Sequence, residues 1–499
     1  MGYWRGVDNP WNILKFICFI CNIHSIHKMR FYNRDEELRI LQKLDKAKGF
    51  RFIVIYGRRR IGKTTLTLKF LDDKKYAYIF VPKGKTMIAF LEDKSIDLGI
   101  PRFMRFKDFL EYTLDTQDYV FFDEFQNFNF IDRSVFSDMQ EIVDRYKRSN
   151  RDVFLIVSGS SYSLIHKIFG DYSHPLYGRS DLDMNLQPLR LEVIFNMLDD
   201  LGVHPLDEKI RYWSVFGGVP KYYEMLERVK SADFEETIVD LFFRRDSFFR
   251  DEGKKVLISE FGGEHKIYFS VLEAIASGRT SVSEISTLFD GKSTTASRYL
   301  DMMRKEYKLV FRETPLLSDP RKSRRGLYGI RDNFISFWFA FVNRYEAYFE
   351  QGRFDEVSKI FLDNHNGFTG RMFELIANEF LSKLNARRGL PATFTKIGRH
   401  WGSISGAEKG RTEYEIDLLA LNEKTKEIGF FEVKWRDLNL REAGNLLLEL
   451  RRKSEIVNWN SGERKEYYGL IAKKINGKEK LRKDGCLCYD LEDFDIYFK

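Results

Sequence analysis

The 499-residue chain has little cysteine, little proline and no long apolar run. Its four cysteines form two close pairs, Cys18/Cys21 and Cys486/Cys488. The first pair has the spacing of a zinc half-site, but zinc needs four ligands and a single residue separates Cys486 from Cys488, so no zinc site is expected. So few cysteines exclude a disulfide-built fold and point to a reducing, cytoplasmic compartment. The ten prolines leave 221–314 and 392–499 free of this helix breaker. The apolar stretch ILKFICFICNI is about half the ~20 residues a spanning helix needs. The SIHKMR that follows lacks the small residues of a signal cleavage site. No membrane partner is expected, and residues 1–28 read as an extension ahead of Met29.

What is present suits packed, soluble domains. Apolar residues make up 43% and charged residues 31%, which excludes wholesale disorder and a collagen-like chain. Lys plus Arg number 82 against 74 acids, a net charge of +8. That excess is too small to mark a nucleic-acid binder; where the cations cluster carries more information. At about 150 residues per domain, the length predicts roughly three domains.

Apolar runs FIVIY, YVFFD and VFLIVSG alternate with helical stretches through residues 29–200, the pattern of a parallel sheet flanked by helices. Residues 201–265 read as mostly helical, with GGVPKYYEML as a turn-to-helix junction. Three short helices and a two-strand hairpin over 266–332 predict a winged helix-turn-helix. Residues 333–365 read as an aromatic-rich helical connector and 366–499 as a second α/β domain.

Gly57–Thr64, GRRRIGKT, fits G-x-x-x-x-G-K-[ST] between a strand and a helix, the setting that makes this motif specific. Gly57, Arg58, Arg59, Arg60, Ile61 and Gly62 would wrap phosphates with backbone N–H groups, and the helix N-terminus adds its dipole. Lys63 is expected on the β- and γ-phosphates of ATP and Thr64 on Mg²⁺. YVFFDEFQ then supplies Asp123 for the Mg²⁺ shell and Glu124 as general base for water. At the end of the third apolar run, Ser158 or Ser160 is a candidate γ-phosphate sensor. Arg179 in LYGRSD is a candidate charge-stabilising finger, in cis or from a neighbouring subunit of a homo-oligomer; a surface salt bridge is the competing reading.

Taken in order, FYNRDEEL, YGRRRIGKTTL, FFDEFQ, SGSS, LYGR and GGVPKYY resemble the archaeal ATPase family, a branch of the AAA+/STAND P-loop NTPases. The resemblance covers roughly Phe31 to Leu226. It implies an AAA+-type core with a helical lid, and places Arg34 near the nucleotide base. It leaves the physiological task open.

The helix STTASRYLDMMRKEYKL is expected to bury Leu300, Met303 and Tyr307. Ser293, Thr294, Ser297, Arg298 and Arg304 would lie opposite. The loop SDPRKSRRG adds Arg321, Lys322, Arg324 and Arg325. Cations beside a reading helix suit double-stranded DNA contacted through residues 293–325, where phosphates supply most affinity. A packing or protein-interaction role is the competing reading.

Near the C-terminus, EYEIDLLALNEKTKEIGFFEVKW reads as a hairpin carrying Asp417, Glu432 and Lys434. A strand's period of two puts Glu432 and Lys434 on one face and Val433 on the other. Two carboxylates can bind Mg²⁺ and acidify a bound water, while the lysine stabilises the attacking oxygen. This stretch, about 365–455, resembles the uncharacterised C-terminal domain that accompanies archaeal ATPases, and the PD-(D/E)XK endonuclease-like fold. That likeness implies Glu374 as an upstream acid, with Ile416 where the motif has proline, and IGRHWG (His400, Trp401) ahead of the strand. A solvated ion cluster is the competing reading. The expected function is an ATP-hydrolysing protein acting on DNA; the alternative is a signalling or scaffold STAND-type ATPase that binds without cutting.

Overall fold

The structure, a computed structural model, describes residues 31–149, 151–229, 233–261, 265–404 and 413–498. The expected N-terminal extension, with Cys18 and Cys21, lies outside these residues. Cys486 and Cys488 are buried free thiols.

The first sheet contains β1 (Phe50–Tyr56), β2 (Tyr76–Phe80), β3 (Tyr119–Asp123), β4 (Val153–Gly159) and β5 (Leu182–Asn185). All pairings are parallel, in the order β2-β3-β4-β1-β5. The inner strands β1, β3 and β4 are buried almost throughout, as a parallel sheet covered on both faces requires, whereas the edge strands β2 and β5 alternate buried and exposed residues. Alternate residues go to opposite cores: Phe52, Val54, Phe122 and Val157 to one, Ile53, Ile55, Phe121 and Ile156 to the other. Every strand therefore ends on the same side, where ligands of such sheets bind.

Helices at Leu206–Phe216, Phe234–Phe242 and Glu252–Phe261 follow. Gly218 allows GGVP to cross the chain ahead of it, since a Cβ there would meet the Leu189 carbonyl oxygen at 2.3 Å. Helices His265–Ala276, Val282–Ser286 and Ser293–Lys305 precede an antiparallel pair, β6 (Val310–Glu313) and β7 (Leu327–Ile330). Ser281 and Glu284 form a reciprocal capping box that starts the second of these helices. Ala296, Leu300 and Met303 are buried, but the helix stops at Lys305, so Tyr307 packs from beyond its end. Arg304 departs from expectation: it is half-buried and paired with Asp301 at 2.8 Å. Its (i, i+3) spacing from Asp301 places the two side chains together on one helix face.

The second sheet has the order β12-β11-β10-β9-β8. Its strands are β8 (Lys396–Ser403), β9 (Glu413–Asn422), β10 (Glu427–Leu438), β11 (Lys465–Ile475) and β12 (Leu487–Tyr489). β8/β9/β10 run antiparallel, whereas β10/β11/β12 run parallel. One unbroken helix, Phe354–Ala386, crosses the boundary expected at 365/366. It contains no proline, and Gly370 brings it close to Trp435, whose Cβ would lie 3.5 Å from an added Cβ. Connector and leading helix are thus one element. No helix among the described residues is long and apolar enough to cross a membrane.

Candidate nucleotide site and C-terminal carboxylate cluster

The phosphate loop joins β1 to the helix Lys63–Phe70, with Gly62 as the left-handed residue before that helix. Gly57 has φ +153°, and a Cβ there would meet the Leu186 carbonyl oxygen at 2.6 Å, so only glycine lets the chains approach this closely. Lys63 is buried and donates to the carbonyls of Gly57 (3.0 Å) and Arg58 (3.1 Å). Burial pushes its pKa below the usual lysine value, while Glu124 and Asp123 pull the other way. Thr64 donates from Oγ1 to Asp123 Oδ2 at 2.7 Å, and Tyr78 of β2 reaches the same oxygen at 3.2 Å.

The two serines at the end of β4 divide their work. Ser158, fully buried, donates to Asp123, and Ser160 donates to Glu124 at 2.6 Å. β4 lies between β1 and β3, so its end is the natural bridge between the loop and the acidic pair. Glu124 has φ +58°, a left-handed conformation that turns the chain sharply as the strand ends. A cavity of about 510 Å³ opens over the loop, lined by Lys63, Thr64 and Glu124 on one side and by Arg34, Leu189 and Pro220 on the other. Arg34 spans its edge, donating to Gln187 O at 2.7 Å and Ile61 O at 3.3 Å.

Two of the loop's three arginines are tied down by carboxylates that sequence reading missed. Arg60 pairs at 2.8 Å with Glu252, which is only 4% exposed, and Arg58 pairs with Asp332, the residue capping the helix Asn333–Phe341. Glu260 faces Lys63 and Arg58, and burial raises its pKa to about 7 against a hydrogen bond from Ser161. These acids stand about 190 to 270 residues from the loop, so no local pattern announces them.

At the far end of the chain, β9 and β10 pair with Leu418 opposite Phe431, which brings Asp417 beside Glu432. Asp417 Oδ2 accepts from Val433 N (2.8 Å) and Lys434 Nζ (3.2 Å), and Lys434 also lies 2.7 Å from Glu432. Lys453, on the helix Leu440–Ile456, holds the second Glu432 oxygen at 2.9 Å and was not foreseen. Burial and then Glu432 raise the Asp417 pKa, with Lys434 opposing. Burial and then Asp417 raise Glu374 to about 7. His400 is pushed down to about 4 by burial and by Arg325. Among the described residues, no three His, Cys, Asp or Glu side chains are grouped so as to hold a metal ion.

Residues 49–194 match the family model of the AAA domain, and 338–446 match one described as archaea bacterial proteins of unknown function. The uncharacterized protein MJECL04 of Methanocaldococcus jannaschii is 34% identical over 470 residues, covering 93% of this chain and all of that protein. The chain belongs to that archaeal AAA ATPase family. A second protein of the same organism, the uncharacterized ATP-binding protein MJ0423, is 49% identical over 45 residues, 9% of this chain and 76% of its own length. Among solved structures, the Walker-type ATPase PABY2304 of Pyrococcus abyssi superposes with a TM-score of 0.45 at 18% identity, over 62% of this chain and 96% of that one.

Within this AAA ATPase, Arg179 forms the ion pair of its competing reading and is no finger to its own loop. Arg179 does not approach its own phosphate loop. It forms a two-pronged pair with Asp144 at 2.9 and 3.0 Å. It sits just before β5, near the start of β1, because Asp181 bonds the backbone of Phe52. That is the opposite end of a parallel sheet whose strands all finish at the nucleotide side. The cations Arg321, Lys322, Arg324 and Arg325 of the β6–β7 loop are all exposed, as are Ser293, Thr294, Ser297 and Arg298. That hairpin also docks on β8, where Leu316 N donates to Arg399 O at 3.1 Å and Arg399 lies 3.4 Å from Glu313.

Proposed function

We propose that the chain is a Mg²⁺-dependent ATPase that acts on DNA through a winged helix-turn-helix (266–332) and an endonuclease-like domain (366–499), with 201–265 as the lid. The observation that carries the reading is the convergence of Lys63, Thr64 and Glu124 on one cavity of about 510 Å³. Thr64 and Asp123 present hard oxygen donors that fit Mg²⁺ and would hold it; when bound, it would neutralise phosphate charge. Lys63 binds the β- and γ-phosphates and Glu124 takes the proton of the attacking water. Ser158 and Ser160 hold these two carboxylates in place. Arg34, between Ile61 and Gln187, borders the part of the cavity suited to the base. Exposed wing cations beside an exposed helix face support contact with DNA phosphates.

A second reading has its own support. Both oxygens of Glu432, and one of Asp417, are engaged by Lys434 or Lys453. Such a neutralised cluster favours a signalling or scaffold ATPase whose C-terminal domain binds without cutting. Two measurements on the full chain decide. ATP binding with and without Mg²⁺, in wild type and Lys63→Ala, tests the nucleotide site: loss of binding in the variant is expected. Incubation of plasmid with Mg²⁺ or Mn²⁺, in wild type and Glu432→Ala, separates cutting from binding.

A further inference from the structure

Three consecutive arginines in a phosphate loop invite the question of what each does. Arg58 is taken by Asp332, and Arg60 by Glu252 at 2.8 Å. Arg60 also lies against the rings of Tyr222 and Phe248, 5.8 and 5.6 Å from their centroids. Arg59, between them, is exposed and has no ion pair among the described residues. It borders both the cavity of about 510 Å³ over the loop and a second one, about 330 Å³, on the other side of Glu124. Among the described residues only Arg59 and Glu124 line both. Its charge also bears on Lys63 and disfavours that ammonium. Two cations that repel each other beside the candidate water-activating carboxylate are relieved by an anion between them.

We propose that Arg59 is a catalytic residue of ATP hydrolysis, contacting the γ-phosphoryl oxygens from the chain's own loop; this rests on the ATPase reading above. In the reaction, the bond from the bridging oxygen to the γ-phosphorus breaks and its electron pair leaves with ADP. A bond from the water oxygen to that phosphorus forms, and the water proton passes to Glu124. Charge spreads over the equatorial oxygens, where a planar guanidinium can donate two parallel hydrogen bonds. The locked neighbours matter, because Arg58 and Arg60 fix the backbone on both sides of Arg59. Arg59 thus takes the role that the position of Arg179 denies it within one chain.

The test uses the full-length protein with Arg59→Ala and Arg59→Lys. Arg59→Ala should bind ATP and ADP within about threefold of wild type, since Lys63 and the loop amides remain. Its single-turnover hydrolysis should fall about 100- to 1,000-fold, the scale of losing one preorganised donor. Affinity for ADP with aluminium fluoride should fall while affinity for ADP stays. Arg59→Lys should recover only a small part, because an ammonium lacks the two-pronged geometry. Unchanged turnover, or an equal loss of ground-state binding and turnover, overturns the proposal. So does restored activity on mixing Arg59→Ala with Glu124→Gln chains, which would place the arginine in a neighbour's site. If Lys63→Ala and Glu124→Gln also turn over ATP like wild type, it is the ATPase reading itself that has failed.

Discussion

Thr64 Oγ1 donates to Asp123 Oδ2 at 2.7 Å, across a gap that β4 separates in the sheet. Each side chain holds the other at the place proposed for Mg²⁺. Thr64→Ala should therefore abolish the extra thermal stabilisation that Mg²⁺ adds to ATP, while Thr64→Ser keeps it. Melting curves with ATP, with and without Mg²⁺, check this; an unchanged Mg²⁺ increment in Thr64→Ala would contradict it.

The Arg60–Glu252 pair ties the phosphate loop to the helix Glu252–Phe261. Glu252 is nearly inaccessible, so removing it strands a cation in a half-buried place. Glu252→Ala should cost about 2–3 kcal/mol, the low side for a broken buried pair because Arg60 can turn outward. Replacing both residues with methionine should cost less than Glu252→Ala alone. Denaturant titration measures both.

Glu260 gives a pH dependence of defined sign. Its folded pKa, about 7, is above the ordinary glutamate value of 4.5, so the folded form holds its proton more tightly. Its contribution to stability is complete below about pH 4.5 and is lost as pH rises through about 7. Glu260→Gln should flatten the decline in melting temperature between pH 5 and 8, with little change near pH 4.5. Parallel pH profiles for variant and wild type would contradict the assignment.

The exposed cations of the β6–β7 loop make the proposed DNA binding salt-sensitive. Each phosphate contact adds about 0.9 to the slope of log affinity against log salt, so four contacts contribute about 3.6. Reversal of Arg321, Lys322, Arg324 and Arg325 to Glu should remove most of that slope. Equal binding by the reversed protein, measured over a salt series, would make this hairpin a packing element.

The carboxylate cluster predicts a response to metal. Mn²⁺ should raise the melting temperature of the full chain by mass action, and Glu432→Ala should erase the rise. Lys434→Ala should keep it while abolishing any DNA cleavage. No metal-dependent shift in wild type would identify Asp417, Glu432 and Lys434 as an ion cluster alone.

How far the chain was readable depended on the range of each interaction. FIVIY, YVFFD and VFLIVSG became β1, β3 and β4 because continuous burial is written locally. The loop and Asp123–Glu124 were legible for the same reason, as was the Asp417–Glu432–Lys434 hairpin, whose strands are joined by a short turn. Glu252, Glu260, Asp332 and Lys453 were not, since each reaches its partner only after helices pack. For Arg179 the salt bridge was the reading realised, because distance from β4 in sequence says nothing about which end of the strands a residue occupies. The division expected at 365/366 is absent because one helix, Phe354–Ala386, runs through it, with Gly370 giving room to Trp435 of β10.

The most direct test is single-turnover hydrolysis of γ-labelled ATP by Glu124→Gln beside wild type, with Mg²⁺ and saturating nucleotide. Binding should match wild type, because Lys63, Thr64 and Asp123 remain, and phosphate release should fall at least about 100-fold, the usual contribution of a positioned base. Release at the wild-type rate would contradict the account of this site.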